Sequence, residues 1–157
     1  TYAGWAGSEQ IAEIYGAPSF DQLEQKIVEY ARELGLATRF FQTNHEGAFL
    51  EHVHGLVGGV DGAIVNPGAW THYQWSIRDA LELLAVPFVE VHLSNVEQRE
   101  PHRRISVIRD LAAHAIWGRG PEGYRDALDF LHRIGLNLVL EARVAPQLER
   151  LDALHRG

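Results

Sequence analysis

Apolar residues follow two spacings that alternate along the chain. Helical spacing, with apolar positions three and four residues apart, predicts four helices, at 20–34, 46–57, 73–84 and 121–134. Short apolar runs rich in β-branched and aromatic residues lie between them and predict four strands, at 37–42, 62–65, 87–93 and 112–117. Strands that alternate with helices favour a single α/β domain with a parallel sheet.

The two ends of the chain do not follow this alternation. Residues 1–14 contain no convincing strand, although a doubly wound sheet of this size normally begins with one. Residues 136–140 have strand character, and 146–154 fit a short amphipathic helix. The chain contains no methionine, so we expect that residue 1 is not a native initiator and that the N-terminus was either processed or truncated.

The densest group of polar side chains follows the third predicted strand. Glu90 and His92 are two residues apart, so they point to the same side of that strand. Ligands of open α/β sheets bind outside the carboxyl ends of strands, which is where His92 and Ser94 fall. Arg99 and Arg103, four apart, would share one face of a helical turn and present guanidinium groups to a carboxylate. The alternative is a strand end with one satisfied histidine and a solvated basic loop.

A second polar loop follows the second predicted strand. Asn66 begins a turn, His72 comes shortly after it, and Asp79 lies on the helix for which Thr71 is the predicted N-cap. Loops at the ends of two strands can converge on one ligand. The alternative is that Asn66 only forms the turn and that His72 has no role near the helix N-terminus.

Composition restricts the partners and the chemistry. The net charge of −7 over 157 residues disfavours a nucleic-acid partner, because no basic face is available to neutralise phosphates. The absence of cysteine removes disulfides, thiol catalysis and zinc–thiolate sites, and it favours a reducing compartment, which we take to be the cytoplasm. No apolar run reaches the length of about 18 residues that a membrane span needs, and no signal peptide is visible.

A histidine-rich group and a single tyrosine are two further candidates for chemistry. His45, Glu46, His52 and His54 do not have the HExxH spacing, and a helix would spread them over different faces, so we expect no metal site and no cofactor. Tyr15 could act as a general base if nearby cations lowered its pKa, which is normally near 10. The alternative is an aromatic side chain that packs or faces solvent.

Six motifs stand in one order along the chain: IYG, TNHEG, VNPGAWTH, RDAL, EVHLSN and REPHRRIS. Together they resemble type II 3-dehydroquinate dehydratase over roughly residues 15–131. The resemblance implies a flavodoxin-like, doubly wound parallel sheet in three α/β/α layers, assembled as a dodecamer of four trimers. It also implies anti elimination of water from 3-dehydroquinate to 3-dehydroshikimate, without metal or covalent intermediate, in shikimate-pathway synthesis of aromatic amino acids or in quinate catabolism. The domain would span 1–134, with a lid at about 8–18, and 135–157 would be an extension outside the resemblance.

The resemblance also implies roles for the residues that match its motifs. Tyr15 would be the base that removes a C2 proton, and His92 would be the acid that protonates the departing C1 hydroxyl. Glu90 would orient His92, and Asn66 would position the water or carbonyl that stabilises the enolate. The remaining residues would bind substrate: Leu93 and Ser94 its carboxylate, His72 and Arg103 its hydroxyls, Asp79 from a neighbouring subunit, and Arg99 in pairing or closure.

Two departures from the family pattern affect the expected activity. The family's first strand and its NGPNLN-like loop are absent, and Gln10 stands where the family has the lid arginine that lowers the pKa of the tyrosine. Three readings therefore remain: an active dehydratase with an altered lid, a non-catalytic or regulatory relative that binds a cyclic hydroxy-acid, and a sibling enzyme that dehydrates another cyclic hydroxy-acid.

Overall fold

The computed structural model of the protein describes residues 20–135. They contain four helices and three strands, in the order α1 (Phe20–Glu33), α2 (Glu46–Leu56), β1 (Ala63–Val65), α3 (Trp75–Leu84), β2 (Phe88–His92), β3 (His114–Trp117) and α4 (122–135). Three 3₁₀ helices, Gly68–His72, Val96–Gln98 and Pro101–Arg103, lie in the loops that follow β1 and β2. In the described part of the chain, no helix is long and apolar enough to cross a membrane.

The three strands form one parallel sheet in the order β1-β2-β3. Val65 is level with Glu90, and His92 is level with Trp117. The carboxyl ends of all three strands therefore meet at one edge, and the loop that begins at Asn66 lies beside the end of β2. This confirms the predicted parallel α/β sheet.

Helices cover both faces of the sheet. On one face, β1 packs against α2 and α3 through a core that includes Phe49, Val65 and Ile77. On the other face, α1 and α4 cover Val89 and Val91, both 0% exposed. The side chains of β2 alternate between the two faces, so the strand is buried along its whole length. The predicted three-layer α/β/α architecture is confirmed.

The strand predicted at 37–42 does not form in the described structure. A strand is defined by hydrogen bonds to a neighbour, and the described sheet ends at β1 without pairing to this segment. Leu36 and Phe40 still pack against the core on the α1 side of the sheet, which accounts for the apolar pattern. The other segments with strand or lid assignments, 1–19 and 136–157, lie outside the described residues.

The predicted N-cap at Thr71 is also wrong. α3 begins at Trp75, and its N-cap Gln74 makes no side-chain capping hydrogen bond. Thr71 instead lies in the 3₁₀ helix Gly68–His72, where it is 1% exposed and turned toward β2. Gly35 and Gly58 follow α1 and α2, each with a left-handed φ of 73° that suits the end of a helix.

Candidate active site

Glu90 and His92 form a buried acid–base pair at the end of β2. Their neighbours Val89 and Val91 face one core, so the pleat turns Glu90 and His92 together toward the opposite face. His92 Nε2 lies 2.7 Å from Glu90 Oε1, and the two residues are 6% and 0% exposed. A carboxylate can only accept, so Nε2 carries the proton and Nδ1 is the nitrogen left for a ligand. The predicted pairing of these side chains is present.

Glu90 also accepts hydrogen bonds from two hydroxyl groups. Thr71 Oγ1 lies 2.6 Å from Oε1, and Ser106 Oγ lies 2.9 and 3.0 Å from the two carboxylate oxygens. Burial raises the pKa of Glu90, but the hydrogen bonds from His92, Thr71 and Ser106 outweigh burial and leave the pKa below its ordinary value. Glu90 is therefore ionised at neutral pH and faces His92 as a negative charge.

Asn66 is held at both ends of its side-chain amide. Oδ1 accepts from the backbone N–H of Gly68 at 3.2 Å, so Nδ2 must be the atom that donates to Tyr124 Oη, at 2.9 Å. Asn66 is 9% exposed and Tyr124 is 2% exposed. One Nδ2 proton is committed to Tyr124, and the second can be donated to a ligand atom.

His72 is oriented by the loop that follows β2. Its Nδ1 lies 2.7 Å from the carbonyl oxygen of Ile105, which can only accept, so the neutral ring has a free acceptor at Nε2. Burial lowers the pKa of His72 and the contact with the Ile105 carbonyl raises it, but the charges of His92 and Arg103 lower it further, and the net pKa is below its ordinary value. A neutral His72 can accept a hydrogen bond from a hydroxyl group of a ligand.

The two arginines of the basic loop do not share a helical turn, contrary to the sequence prediction. Arg99 is extended, and Arg103 ends the 3₁₀ helix Pro101–Arg103. Each places Nε 3.4 Å from Glu100 Oε2, so the carboxylate that the pair faces is Glu100 on the same loop. Pro101 starts a new helical turn between them, and this breaks the i,i+4 geometry.

The described part of the chain also contains the predicted ligand residues Leu93, Ser94 and Asp79. Leu93 and Ser94 directly follow β2, and their carbonyl oxygens accept from Gly120 and Gly118 at 3.0 and 3.1 Å. Asp79 is exposed on α3. Tyr15, predicted as the base, and Gln10 lie outside the described residues.

Glu46 and His52, two of the four residues considered for a metal site, contact other side chains. Glu46 accepts from the side chains of Gln74 and Ser76, which ties α2 to α3. His52 stacks on Phe41 with ring centroids 3.9 Å apart. Within 20–135, no group of three or more His, Asp or Glu side chains is placed to hold a metal ion.

Three residues of this site were not predicted as site residues: Thr71, Ser106 and Tyr124. Thr71 and Ser106 belong to the VNPGAWTH and REPHRRIS motifs, which are the available signal; the local pattern predicts Thr71 only as a helix N-cap and gives Ser106 no role. Tyr124 has no comparable signal, because it is apart from every motif and reaches Asn66 over 58 residues of sequence.

A buried carboxylate–imidazole pair at the carboxyl end of the central strand of an open parallel sheet is an arrangement that suits an acid–base enzyme. The family model described as "Dehydroquinase class II" matches residues 7–132. The 3-dehydroquinate dehydratase of Thermotoga neapolitana is 42% identical over 121 residues, which cover 77% of this chain and 82% of that protein. The chain belongs to the class II dehydroquinase family, the family of hydro-lyases that the motifs indicated.

Solved structures agree with this assignment. The type II dehydroquinase from Propionibacterium acnes superposes with a TM-score of 0.78 at 35% identity, over 84% of this chain and 92% of that one. The type II dehydroquinase from Butyrivibrio crossotus gives a TM-score of 0.74 at 38% identity, over 79% of this chain and 87% of that one. The flavodoxin-like fold predicted from the motifs is confirmed.

Proposed function

We propose that this chain dehydrates 3-dehydroquinate to 3-dehydroshikimate by acid–base chemistry centred on His92. The observation that carries the proposal is the Nε2–Oε1 contact of 2.7 Å between His92 and an ionised Glu90 that is 0% exposed. With Nε2 committed to Glu90, Nδ1 is the ring nitrogen from which an imidazolium could donate a proton to the substrate.

In the proposed reaction, a base removes a proton from C2 and the electron pair moves into the carbonyl as an enolate. The enolate then collapses to form the C1–C2 double bond. The C1–O bond breaks in this step, and the leaving hydroxyl takes a proton from His92 and departs as water. Asn66 supports the enolate, because its second Nδ2 proton can be donated to the oxyanion or to a water bound to it.

Substrate recognition in this proposal uses groups at the same edge of the sheet. The backbone and hydroxyl at Leu93 and Ser94 bind the substrate carboxylate. His72 accepts from a ring hydroxyl through Nε2, consistent with its Nδ1 being committed to Ile105. Arg103 supplies a positive charge close enough to affect the pKa of His72.

Tyr15 is the proposed base on the strength of the family motif. Gln10 in place of the lid arginine favours a second candidate, a relative that binds a cyclic hydroxy-acid without turning it over. A cation lost from near a phenolate raises the tyrosine pKa by about 1–3 units, so activity with Tyr15 as base would rise at higher pH.

The deciding test is the ultraviolet absorbance of the conjugated enone product when the chain is given 3-dehydroquinate. His92→Ala and Tyr15→Phe should each abolish most of the turnover, whereas His102→Ala, an exposed histidine of the same loop, should not. Full turnover in both variants would contradict the proposal. Binding of a substrate analogue that is lost in Arg103→Ala but kept in Arg104→Ala, with no turnover by the parent chain, would establish the binding relative instead.

The assembly into trimers and a dodecamer is part of the same proposal. Asp79 would complete a neighbour's site, and Arg99 would help in pairing or closure. Three large apolar side chains near His72 and the start of α3 are exposed, which supports an interface here. They are Tyr73, Trp75 and Ile105, at 57%, 64% and 56% exposed. Light scattering on the parent chain and on Trp75→Glu would test the assembly. A cytoplasmic location and the choice between biosynthesis and quinate breakdown stay predictions.

A further inference from the structure

Two hydroxyl groups reach the buried carboxylate of Glu90 from two different loops. Thr71 comes from the 3₁₀ helix Gly68–His72 after β1, and Ser106 comes from the loop after β2. The backbone N–H of Val107 also donates to the Thr71 carbonyl at 2.8 Å, so the two loops are joined beside Glu90.

The protons of the two hydroxyl groups bear on the protonation state of Glu90. Ser106 Oγ accepts from the backbone N–H of Ile108 at 3.3 Å, which leaves its single proton to be donated toward Glu90. Thr71 Oγ1 lies 2.6 Å from Glu90 Oε1 and 2.9 Å from Ser106 Oγ, and the shorter contact is a donation to Glu90. Together with His92 Nε2–H, three donors converge on one carboxyl group. An ionised carboxylate, which has only acceptor sites, can accept all three.

Each hydroxyl is next to a group that the proposed function uses. Thr71 precedes His72, and Ser106 follows Ile105, whose carbonyl oxygen orients the His72 ring. The Glu90 carboxylate therefore connects the orientation of His92 to the position of the loop that carries His72.

We propose that Thr71 and Ser106 are positioning residues of the reaction: their hydroxyl groups hold the Glu90 carboxylate against His92 and fix both ligand-binding loops to it. The inference rests on the proposed function for its effect on turnover. Its structural part, the fixed and ionised Glu90, does not depend on turnover.

The titratable groups near Glu90 decide whether its titration can be followed separately. In the described structure, the titratable group in contact with Glu90 is His92, on the same strand. β3 places Ala115 level with Glu90, and the helices on this face contribute apolar side chains such as Phe49 and Ile77. His72 and Arg103 belong to the loops at the same end of the sheet, where the charges of His92 and Arg103 both act on His72.

The test compares Thr71→Val and Ser106→Ala, which remove one hydroxyl each, with the conservative variants Thr71→Ser and Ser106→Thr. Each hydroxyl deletion should lower kcat/KM about tenfold, the effect of about 1.4 kcal/mol, mainly through kcat. The hydrogen bonds lost are those that lower the pKa of Glu90, so the acidic limb of the kcat/KM profile should move to higher pH. The conservative variants should restore both activity and pH profile.

A second measurement separates this inference from the function itself. The ¹⁵N resonances of the His92 ring report whether Nε2 carries its proton, and they can be followed against pH without substrate. In the hydroxyl-deleted variants, the acidic transition of these resonances should begin at higher pH than in the parent chain. An unchanged transition, or lost activity with an unmoved pH profile in folded variants, would overturn the positioning role. A parent chain with no turnover but with the expected shift would overturn only the proposed function.

Discussion

The change Glu90→Gln tests the charge of the central carboxylate with little change in shape. Glutamine keeps one acceptor oxygen at the Oε1 position, where Thr71 and His92 donate, and its amide nitrogen can donate to Ser106 Oγ instead. The hydrogen bonds can therefore survive, while the negative charge against His92 is lost. Because the geometry is retained, the effect measures charge.

The size of the effect follows from the change in bond type. A hydrogen bond to a charged group contributes about 1.5–3 kcal/mol and a neutral one about 0.5–1.5 kcal/mol, so the His92 contact weakens by about 1–2 kcal/mol. If that contact is strongest when His92 holds the proton to be donated, kcat/KM falls about 5- to 30-fold. The enone absorbance assay measures this directly, with Glu97→Gln, an exposed carboxylate paired with Arg109, as the matched control.

The same variant changes how stability depends on pH. The pKa of Glu90 in the folded protein is below its ordinary value of 4.5, so its stabilising contribution is complete above that pH and is lost as the pH falls through the lower, folded value. Unfolding free energy of Glu90→Gln should therefore decline less steeply below pH 4.5 than that of the parent or of Glu97→Gln. Equal kcat/KM and equal slopes in Glu90→Gln and the parent would refute the reasoning.

Two further changes test the support of the site. Tyr124→Phe removes the acceptor of Asn66 Nδ2 and should lower kcat more than it raises KM in steady-state kinetics; an unchanged kcat would show that Asn66 needs no such support. Gly118→Ala should lower the free energy of unfolding by about 1–2 kcal/mol because of the left-handed backbone, and by more because its Cβ would lie 3.0 Å from Asn95. In Gly120→Ala the Cβ meets nothing within 4 Å, so only the backbone contribution should be lost. Equal denaturation midpoints for the two variants would contradict this.

The assignment of helices and of the central strand followed from local rules. Helical spacing located α1, α2 and α3 to within about two residues at each end, as expected of such assignments. Alternation along β2 placed Glu90 and His92 on one side of the strand, and the structure has their side chains in contact. These features depend on near neighbours in sequence, whose geometry is set by the backbone of a single element.

The sequence by itself determined the fold class, the family and the acid–base pair. The fold class and the pair follow from residue spacing within single elements, and the family follows from the order of the motifs. Only the tertiary structure decided which partners hold that pair. Thr71 and Ser106 lie 19 and 16 residues from Glu90, and Tyr124 lies 58 residues from Asn66. A hydroxyl group suits a cap, a turn or a buried carboxylate equally well, so its role is chosen by what the folded chain places beside it. The segment 37–42 shows the same limit, since pairing into a sheet requires a neighbour that no local pattern supplies.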